Sequence, residues 1–172
     1  QGITGKEGSR ASKEMLAYGT KVVAGVTPGK GGIATEEGVP VFNSVKEAMA
    51  QFPEINTALI VAPAQFALNA TKESIEAKIP LINILTEKVP VADVAVMIAL
   101  AREAGVRIVG PSSVGIISPG IGKIGSIGSG DIANRIFIPG QVGVISKSGG
   151  MTAELSRILT DAGIGQSTAL GI

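Results

Sequence analysis

Gly2-Ile3-Thr4-Gly5-Lys6-Glu7-Gly8 stands near the start of the chain, and a helical pattern over residues 9–18 follows it at once. Glycines in a turn that opens a helix let the backbone come close to a phosphate, while the amides of the first helical turn point at that phosphate. The spacing is G-x-x-G-x-x-G and not the dinucleotide pattern G-x-G-x-x-G, so an ordinary glycine-rich turn remains the alternative. Such a turn is typical of the first strand–helix unit of an open α/β sheet.

Short apolar runs alternate with helical patterns after this turn. Runs that are apolar on both faces are typical of parallel strands covered by helices, and their alternation with helices predicts βαβ units. We therefore predict an α/β fold, with a Rossmann-like, doubly wound parallel sheet over residues 1–115. Ser44 and Glu47 fit a capping box, and Gly105 fits a helix C-terminal glycine. The predicted strands are residues 21–26, 57–61, 81–85 and 107–109, and the later predicted helices are residues 44–51, 64–77 and 90–104.

The composition changes after residue 115. Residues 116–140 are rich in Gly, Ser, Pro and Ile without a clear period, which predicts a linker or crossover. A strand at residues 141–146, a Ser/Gly turn and a helix at residues 151–162 follow. Residues 141–172 are therefore predicted to be the first βαβ portion of a second, flavodoxin-like α/β domain. The chain begins at the glycine turn with no strand long enough to precede it, and it stops inside an apolar run at Ile172. We therefore expect it to be cut from a longer chain.

The overall composition excludes several classes of function. Lys and Arg number 15 against 14 Asp and Glu, so the net charge of +1 offers no field that would attract nucleic acid or an acidic membrane. The chain has no cysteine and no histidine, which excludes disulfides, thiolate or imidazole metal sites and a Ser-His-Asp triad. No apolar run reaches the roughly 20 residues that a membrane span needs. Without a signal-peptide pattern, we expect a cytoplasmic protein, or a mitochondrial matrix protein in a eukaryote.

The predicted strand at residues 21–26 ends in a loop that bears on the choice of ligand. In an NAD site an acidic side chain near this point, about 20 residues beyond the glycines, holds the ribose hydroxyls. Here the loop reads Gly25-Val26-Thr27-Pro28-Gly29-Lys30-Gly31-Gly32, with a lysine and no acid. This favours a ligand with a phosphorylated ribose, either coenzyme A or NADP. The alternative is a solvated lysine on a turn.

Three further turns follow predicted strands and are candidate ligand contacts. Ligands of open α/β sheets lie outside the carboxyl ends of the strands, and a helix start after a Ser/Gly turn is suited to an anion. Ordinary helix capping or simple turns are the alternatives. The candidates are Leu85, Thr86 and Glu87 at the end of the strand at 81–85, Ser112 and Ser113 after the strand at 107–109, and Ser148, Gly149 and Gly150 after the strand at 141–146.

Taken together, these segments resemble the α subunit of succinyl-CoA synthetase over essentially the whole chain. The segments that carry the resemblance are residues 1–8, 18–21, 25–32, 39–43, 85–87 and 104–107. The resemblance implies that coenzyme A contacts Thr4, Gly5, Lys6, Glu7, Lys30, Leu85, Thr86 and Glu87. It also implies that the phosphorylated histidine of the family lies beyond Ile172, so that no catalytic residue is expected within this chain.

The second half of the chain departs from the succinate pattern. Residues 110–115, 123–125 and 148–151 resemble instead ATP-citrate lyase and the related citryl-CoA synthetase, so the acid stays open between succinate and citrate. The family resemblance implies an acid–thiol ligase that forms an acyl-CoA through a phosphohistidine and an acyl phosphate. It also implies a small carboxylic acid substrate and a β-type partner subunit that binds ATP or GTP with magnesium. A non-catalytic coenzyme A-binding module is the alternative, and an NADP-dependent oxidoreductase is a third.

Overall fold

The computed structural model describes residues 1–172 and has a mixed α/β fold with parallel sheets, which confirms the predicted fold class. The longest helix has 14 residues, and none of the helices is long and apolar enough to cross a membrane. In chain order the elements are α1 (Lys6–Ala17), β1 (Gly25–Val26), β2 (Val41–Phe42), α2 (Val45–Gln51), β3 (Thr57–Ile60), α3 (Ala64–Glu76), β4 (Leu81–Ile84), α4 (Val91–Ala104), β5 (Arg107–Val109), β6 (Gly115–Ser118), β7 (Gly122–Gly125), α5 (Ile132–Ile136), β8 (Pro139–Ser146), α6 (Gly149–Asp161) and β9 (Gln166–Gly171).

The first half of the chain forms two parallel ladders, β1–β2 and β3–β4–β5. Gln1 and Gly2 lie between them and bond to both. The Gln1 backbone nitrogen donates to the Leu59 carbonyl oxygen (2.6 Å), and the Gln1 backbone carbonyl oxygen accepts from the Val61 amide (3.0 Å). The Gly2 amide donates to the Val26 carbonyl oxygen (2.8 Å). The spatial order is therefore β2, β1, residues 1–2, β3, β4, β5, which is the strand order of a doubly wound Rossmann-like sheet.

The core of this half lies between β3–β4 and the helices α3 and α4. Ile60, Ile82 and Ile84 are fully buried and pack with Ala67 of α3 and Met97 of α4. Full burial of such a side chain stabilises the fold by roughly 1.5–3 kcal/mol. This packing fixes the strand ends from which the candidate ligand contacts project.

Two predicted helix ends are confirmed. Ser44 caps α2: its hydroxyl oxygen accepts from the Glu47 amide (3.1 Å), while the Glu47 carboxylate accepts from the Asn43 amide (3.0 Å). This reciprocal pair resembles a capping box, except that the Glu47 carboxylate bonds to the amide of the residue before the N-cap and not to the N-cap amide itself. Gly105 ends α4 with φ 70°, in the left-handed region that a glycine adopts without a steric penalty.

Two elements differ in extent from the sequence expectation. The strand predicted at residues 21–26 has ladder bonds only over Gly25–Val26, because its partner β2 is only two residues long. Helix α1 begins at Lys6, three residues earlier than predicted, since the extended Gly5 acts as its N-cap (φ −78°, ψ 160°). Lys6 and Glu7 therefore lie in the first turn of a helix and not in the turn before it.

The second half of the chain forms a four-stranded sheet with the order β7-β6-β9-β8. Strands β8 and β9 are parallel and are joined through α6, whereas β6 pairs antiparallel with both β7 and β9. Residues 116–140, for which a linker or crossover is predicted, therefore contain most of a β-hairpin and helix α5. The sequence pattern does not predict β6 and β7, because each strand has only four residues and two of the four residues of β7 are glycines. The domain boundaries themselves stay a prediction.

Candidate functional site

The turn before α1 forms a cradle of backbone amides, in which Gly5, Lys6 and Glu7 are exposed and Gly8 is buried. Gly5, the N-cap of α1, provides no side-chain hydrogen bond, and the amides of Lys6, Glu7 and Gly8 have no partner within the chain. The Gly5 amide donates to the Gly2 carbonyl oxygen (3.0 Å), which closes the turn. A side chain at Gly8 would overlap that carbonyl, so only glycine fits there. Free amides at the positive end of a helix dipole form a site for an anion.

The charges on this first turn are arranged around one ion pair. The Arg10 guanidinium donates to the Glu7 carboxylate (2.7 Å), and this hydrogen bond lowers the pKa of the Glu7 carboxyl. Arg10 also pairs with Glu14 one turn further along α1 (3.3 Å). Lys6 is exposed and forms no ion pair. The Glu7 charge is thus largely compensated, and the turn offers a lysine and the helix dipole to an anion.

Lys30 lies on the exposed loop that follows β1. The backbone of this loop is held at three points: the Lys30 amide donates to the Thr27 carbonyl oxygen (3.1 Å), the Gly31 amide to the Asn43 side-chain oxygen (2.9 Å) and the Gly32 amide to the Val41 carbonyl oxygen (3.0 Å). Thr27 also joins this loop to the first cradle, because its hydroxyl contacts the Thr4 hydroxyl (3.2 Å). Two of the predicted contact regions, residues 4–7 and Lys30, are therefore linked through Thr27.

The tip after β4 is tied to the neighbouring strand ends. The Leu85 amide donates to the Ile60 carbonyl oxygen (3.0 Å), and the Thr86 hydroxyl donates to the Ala62 carbonyl oxygen (2.7 Å). The Ser112 amide in turn donates to the Thr86 carbonyl oxygen (3.0 Å). Glu87 is exposed. The structure thus brings residues 85–87 and Ser112 together, although 26 positions separate Thr86 from Ser112 along the sequence.

Ser113 is buried, with 1% of its surface exposed. Its hydroxyl oxygen accepts from the Asn83 side-chain amide (2.9 Å) and from the Gly115 amide (3.0 Å), and its proton goes to the Gly171 carbonyl oxygen. A serine hydroxyl has one proton and two lone pairs, so these three bonds use its whole capacity. In this structure Ser113 therefore joins β4 of the first sheet to β9 of the second, and only Ser112 of the pair is exposed.

The turn before α6 forms a second, smaller cradle. The Ser148 hydroxyl caps α6 by accepting from the Met151 amide (3.3 Å), while the amides of Gly149 and Gly150 have no partner within the chain. Gly149 packs against Val114, where an added β-carbon would lie 2.6 Å from a Val114 methyl group. Because Val114 follows Ser113, the Ser148 turn adjoins the row of strand ends that begins at the α1 cradle.

A large, mainly apolar cavity lies apart from these turns. It has a volume of about 750 Å³ and is lined by residues of α1, β1, β3 and the β6–β7 hairpin, mainly by apolar residues such as Val22, Leu59 and Ile79. None of the predicted ligand contacts lines this cavity. Since ligands of open α/β sheets bind outside the carboxyl ends of the strands, we place the candidate site at the cradles and not in the cavity.

Four residues that the sequence prediction missed form hydrogen bonds to the candidate contact residues or to their neighbours. Thr27 joins the two segments that are predicted to bind the cofactor, Arg10 pairs with Glu7, Asn43 bonds to Gly31, and Asn83 bonds to Ser113. A signal existed for Asn43, because a polar residue directly after the apolar run Val39–Phe42 marks a strand end. A signal also existed for Arg10, because it stands three residues after Glu7, a spacing that brings two side chains together on a helix. The contacts of Thr27 and Asn83 depend on tertiary proximity and have no local signal.

The sequence profile of a family described as "CoA binding domain" matches residues 1–88 of the chain. This match covers the turn before α1, the Lys30 loop and the tip after β4.

Several curated relatives align with the whole chain. The "Succinate--CoA ligase [ADP-forming] subunit alpha" of Methanothermobacter thermautotrophicus and that of Aquifex aeolicus are each 46% identical to it, and the chain covers 56% and 55% of their lengths. The "Malate--CoA ligase subunit alpha" of Methylorubrum extorquens is 43% identical, with 57% of its length covered. The chain thus spans a little over half the length of the curated relatives it matches. These relatives confirm the resemblance predicted from the sequence.

Among solved structures, ATP citrate lyase from Methanothrix soehngenii, in complex with citrate and coenzyme A, superposes with a TM-score of 0.73 at 27% identity. The alignment covers 77% of this chain and 22% of that one. PH0766 from Pyrococcus horikoshii superposes with a TM-score of 0.71 at 24% identity over 97% of this chain and 37% of that one, which shows a shared fold.

Proposed function

The chain belongs to the CoA binding domain family, and from this premise we propose that it is the coenzyme A-binding part of the α subunit of a nucleotide-dependent acid–CoA ligase of the succinyl-CoA synthetase kind. In this proposal Thr4, Gly5, Lys6, Glu7, Lys30, Leu85, Thr86 and Glu87 contact coenzyme A. Ser112, Ser148, Gly149 and Gly150 face the acid or phosphoryl group, with Ser113 behind them.

One observation carries the proposal: the exposed loop after β1 presents a lysine, and the adjoining start of α1 presents free amides. The amides of Lys6 and Glu7 suit the pyrophosphate of a nucleotide. Lys30 suits a phosphate on the ribose, whereas an NAD site needs an acid there to hold the ribose hydroxyls. Coenzyme A has both groups, a pyrophosphate and a 3′-phosphate on its ribose.

The reaction proposed for the complete enzyme is a phosphoryl relay. ATP or GTP, bound with magnesium by a β-type partner subunit, phosphorylates a histidine; the phosphoryl group then moves to a carboxylate of the acid. Attack of the coenzyme A thiol on the acyl phosphate forms the thioester and releases inorganic phosphate. Such transfers depend on positioning and on electrostatic stabilisation of the moving group. The free Gly149 and Gly150 amides are suited to that stabilisation, and the 172 residues contain no histidine that could carry the phosphoryl group.

Calorimetric titration of the chain with coenzyme A and with NAD tests the binding proposal. We expect coenzyme A to bind the more tightly, because only it has a phosphate for Lys30. Tighter binding of NAD would contradict the assignment. Addition of NADP as a third ligand separates a general preference for a phosphorylated ribose from recognition of coenzyme A as a whole.

The acid is a separate part of the proposal. Succinate and malate appear in the names of relatives, and citrate in the name of a solved structure that superposes on this chain. We infer a small di- or tricarboxylate, with citrate as the second candidate to succinate because residues 148–151 resemble the citrate enzymes. We expect this enzyme to act in the cytoplasm or the mitochondrial matrix. Thioester formation should be measured for the full-length protein with its partner subunit and compared among succinate, malate and citrate. Activity with a monocarboxylate alone would contradict the proposal.

A further inference from the structure

The loop that carries Lys30 is held by one side chain. Of the three hydrogen bonds that fix the amides of residues 30–32, two use backbone carbonyls, and the third joins the Gly31 amide to the Asn43 side-chain oxygen (2.9 Å). This bond is made to the residue directly after Lys30. The position of the Lys30 ammonium group in the loop therefore depends on Asn43 more than on any other side chain.

The backbone around Asn43 is held by hydrogen bonds on both sides. It follows β2 directly, and its backbone amide donates to the Glu47 carboxylate (3.0 Å), which belongs to the cap of α2. On the other side, the Thr27 amide donates to the carbonyl oxygen of the preceding Phe42 (2.9 Å). The backbone of Asn43 thus lies between a strand end that is bonded to Thr27 of the loop and a helix cap that is formed within residues 43–47.

Gly31 and Asn43 also fit each other sterically. A β-carbon added to Gly31 would overlap the side-chain amide of Asn43, and its three nearest atoms all belong to that side chain. Gly31 is not among the glycines with positive φ. An alanine at this position is therefore opposed by Asn43 and not by its own backbone conformation. The two residues form a pair whose energetic coupling can be measured.

We propose that Asn43 is a positioning residue for coenzyme A recognition: through its bond to the Gly31 amide it holds the loop so that Lys30 lies over the 3′-phosphate. This inference rests on the proposed function and adds a residue to it. A glycine-rich loop without this bond samples more conformations, and binding then has to order it. Holding the loop in advance raises affinity by removing that cost. The effect is confined to ligands that use Lys30.

The first experiment compares coenzyme A with dephospho-coenzyme A, which lacks the 3′-phosphate, by calorimetric titration of the 172-residue chain. Asn43→Ala should weaken coenzyme A binding about tenfold, as expected for loss of a positioning hydrogen bond, and leave dephospho-coenzyme A binding within about twofold. Thr35→Val is the matched control. It also removes a side-chain acceptor for a loop amide (the Thr35 hydroxyl oxygen accepts from Val39, 3.2 Å) and should leave both affinities unchanged.

Two cycles of double substitutions separate positioning from a general loss of structure. In a Lys30→Ala background, Asn43→Ala should have no further effect on coenzyme A binding, because Asn43 acts through Lys30. In the wild-type background Gly31→Ala should weaken coenzyme A binding by displacing the Asn43 amide. In an Asn43→Ala background the same Gly31→Ala change should cost less than about twofold, since the overlapping group is gone.

The outcomes separate this inference from the proposed function. If the wild-type chain binds coenzyme A and dephospho-coenzyme A equally, the role of Lys30 fails and the inference fails with it. If the wild-type chain discriminates between the two ligands but Asn43→Ala binds both as the wild type does, only the inference is overturned. Independent, multiplicative effects of Gly31→Ala and Asn43→Ala would also overturn it.

Discussion

Lys30 is the residue on which the choice of ligand depends. It is exposed, lies on a loop with one proline and three glycines at the carboxyl end of β1, and occupies the place where an NAD site has an acid. The sequence alone reveals this residue, because its type and its distance from the first glycines are both visible. Its support by Asn43 is not visible in the same way, because 13 positions separate the two residues and only the pairing of β1 with β2 brings them together.

Replacement of Lys30 by alanine should weaken coenzyme A binding by about 10- to 100-fold. A charge-assisted hydrogen bond to phosphate contributes roughly 1.5–3 kcal/mol, which is more than an exposed ion pair provides. Dephospho-coenzyme A should bind the wild type and Lys30→Ala almost equally in the same titration. An equal loss for both ligands would mean that Lys30 shapes the loop or contacts the pyrophosphate, and the argument against NAD would lose its main support.

Helix α1 is the element that links the anion cradle to the rest of the molecule. Its N-terminal amides are free, and its surface carries the chain of ion pairs Glu7–Arg10–Glu14. Because Arg10 compensates the Glu7 charge, a phosphate at the cradle meets less repulsion than the sequence would suggest. The helix thus needs Arg10 both for its own ion pairs and for the electrostatics of the site.

Arg10→Ala should weaken coenzyme A binding by about two- to fivefold, the range expected for exposed charges, and the loss should shrink at high salt. The pKa of Glu7, now lowered by Arg10, should rise toward its ordinary value. The lowered pKa means that the pair is present above the ordinary carboxyl pKa and is lost as the pH falls through the lowered value. Titration by NMR and calorimetry measures both effects.

Two variants control this prediction. Glu7→Gln combined with Arg10→Ala should recover coenzyme A affinity, because the unpaired carboxylate is then absent. Arg157→Ala removes a similar set of ion pairs from α6, to Glu154 (2.6 Å) and Asp161 (2.8 Å), and should leave the affinity unchanged. A loss of affinity in Arg157→Ala as large as that in Arg10→Ala would show that the effect is not local to the cradle.

The elements themselves were predictable to different degrees. Long apolar runs and helices with clear caps, such as α2 after Ser44 and α4 before Gly105, follow from local patterns. The hairpin β6–β7 does not, because its strands are four residues long and its stability comes from pairing with β9, some 50 residues further along the chain. The start of α1 at Lys6 was also missed, since the glycine turn hides the N-cap.

On the scale of the whole molecule, the two sheets are joined by buried polar contacts. Ser113 bonds to both Asn83 and Gly171, and Lys123 of β7 reaches back to Glu14 of α1 (3.5 Å). The Lys123 side chain is only 1% exposed and donates to the carbonyl oxygens of Ile127 (3.0 Å) and Gly128 (3.1 Å). These contacts join β4 and helix α1 of the first half to the four-stranded sheet of the second half.

Lys123→Met should lower the free energy of unfolding by about 3 kcal/mol, because it leaves a largely buried Glu14 carboxylate oxygen and two carbonyls without their partner. Lys13→Met, at an exposed lysine of α1, should change it by less than about 0.5 kcal/mol. Chemical denaturation measures both. A Lys123→Met chain as stable as the wild type would show that the contact contributes nothing net.

The pH dependence of this contact has a definite sign. Burial lowers the pKa of Lys123 from its ordinary value of 10.5, while the Glu14 carboxylate opposes the shift. Between the lowered value and 10.5 the unfolded chain binds more protons than the folded chain, so the stability provided by this group rises with pH. The difference in stability between the wild type and Lys123→Met should therefore grow as the pH approaches 10.5.

Coenzyme A is proposed to bind along the carboxyl ends of the strands, and amide chemical shifts of the isotope-labelled chain test this binding mode most directly. On titration with coenzyme A, the largest changes should fall on residues 4–7, 29–32 and 85–87. Unchanged shifts at these amides, together with changes at Val22, Leu59 and Ile79 around the large cavity, would contradict the account.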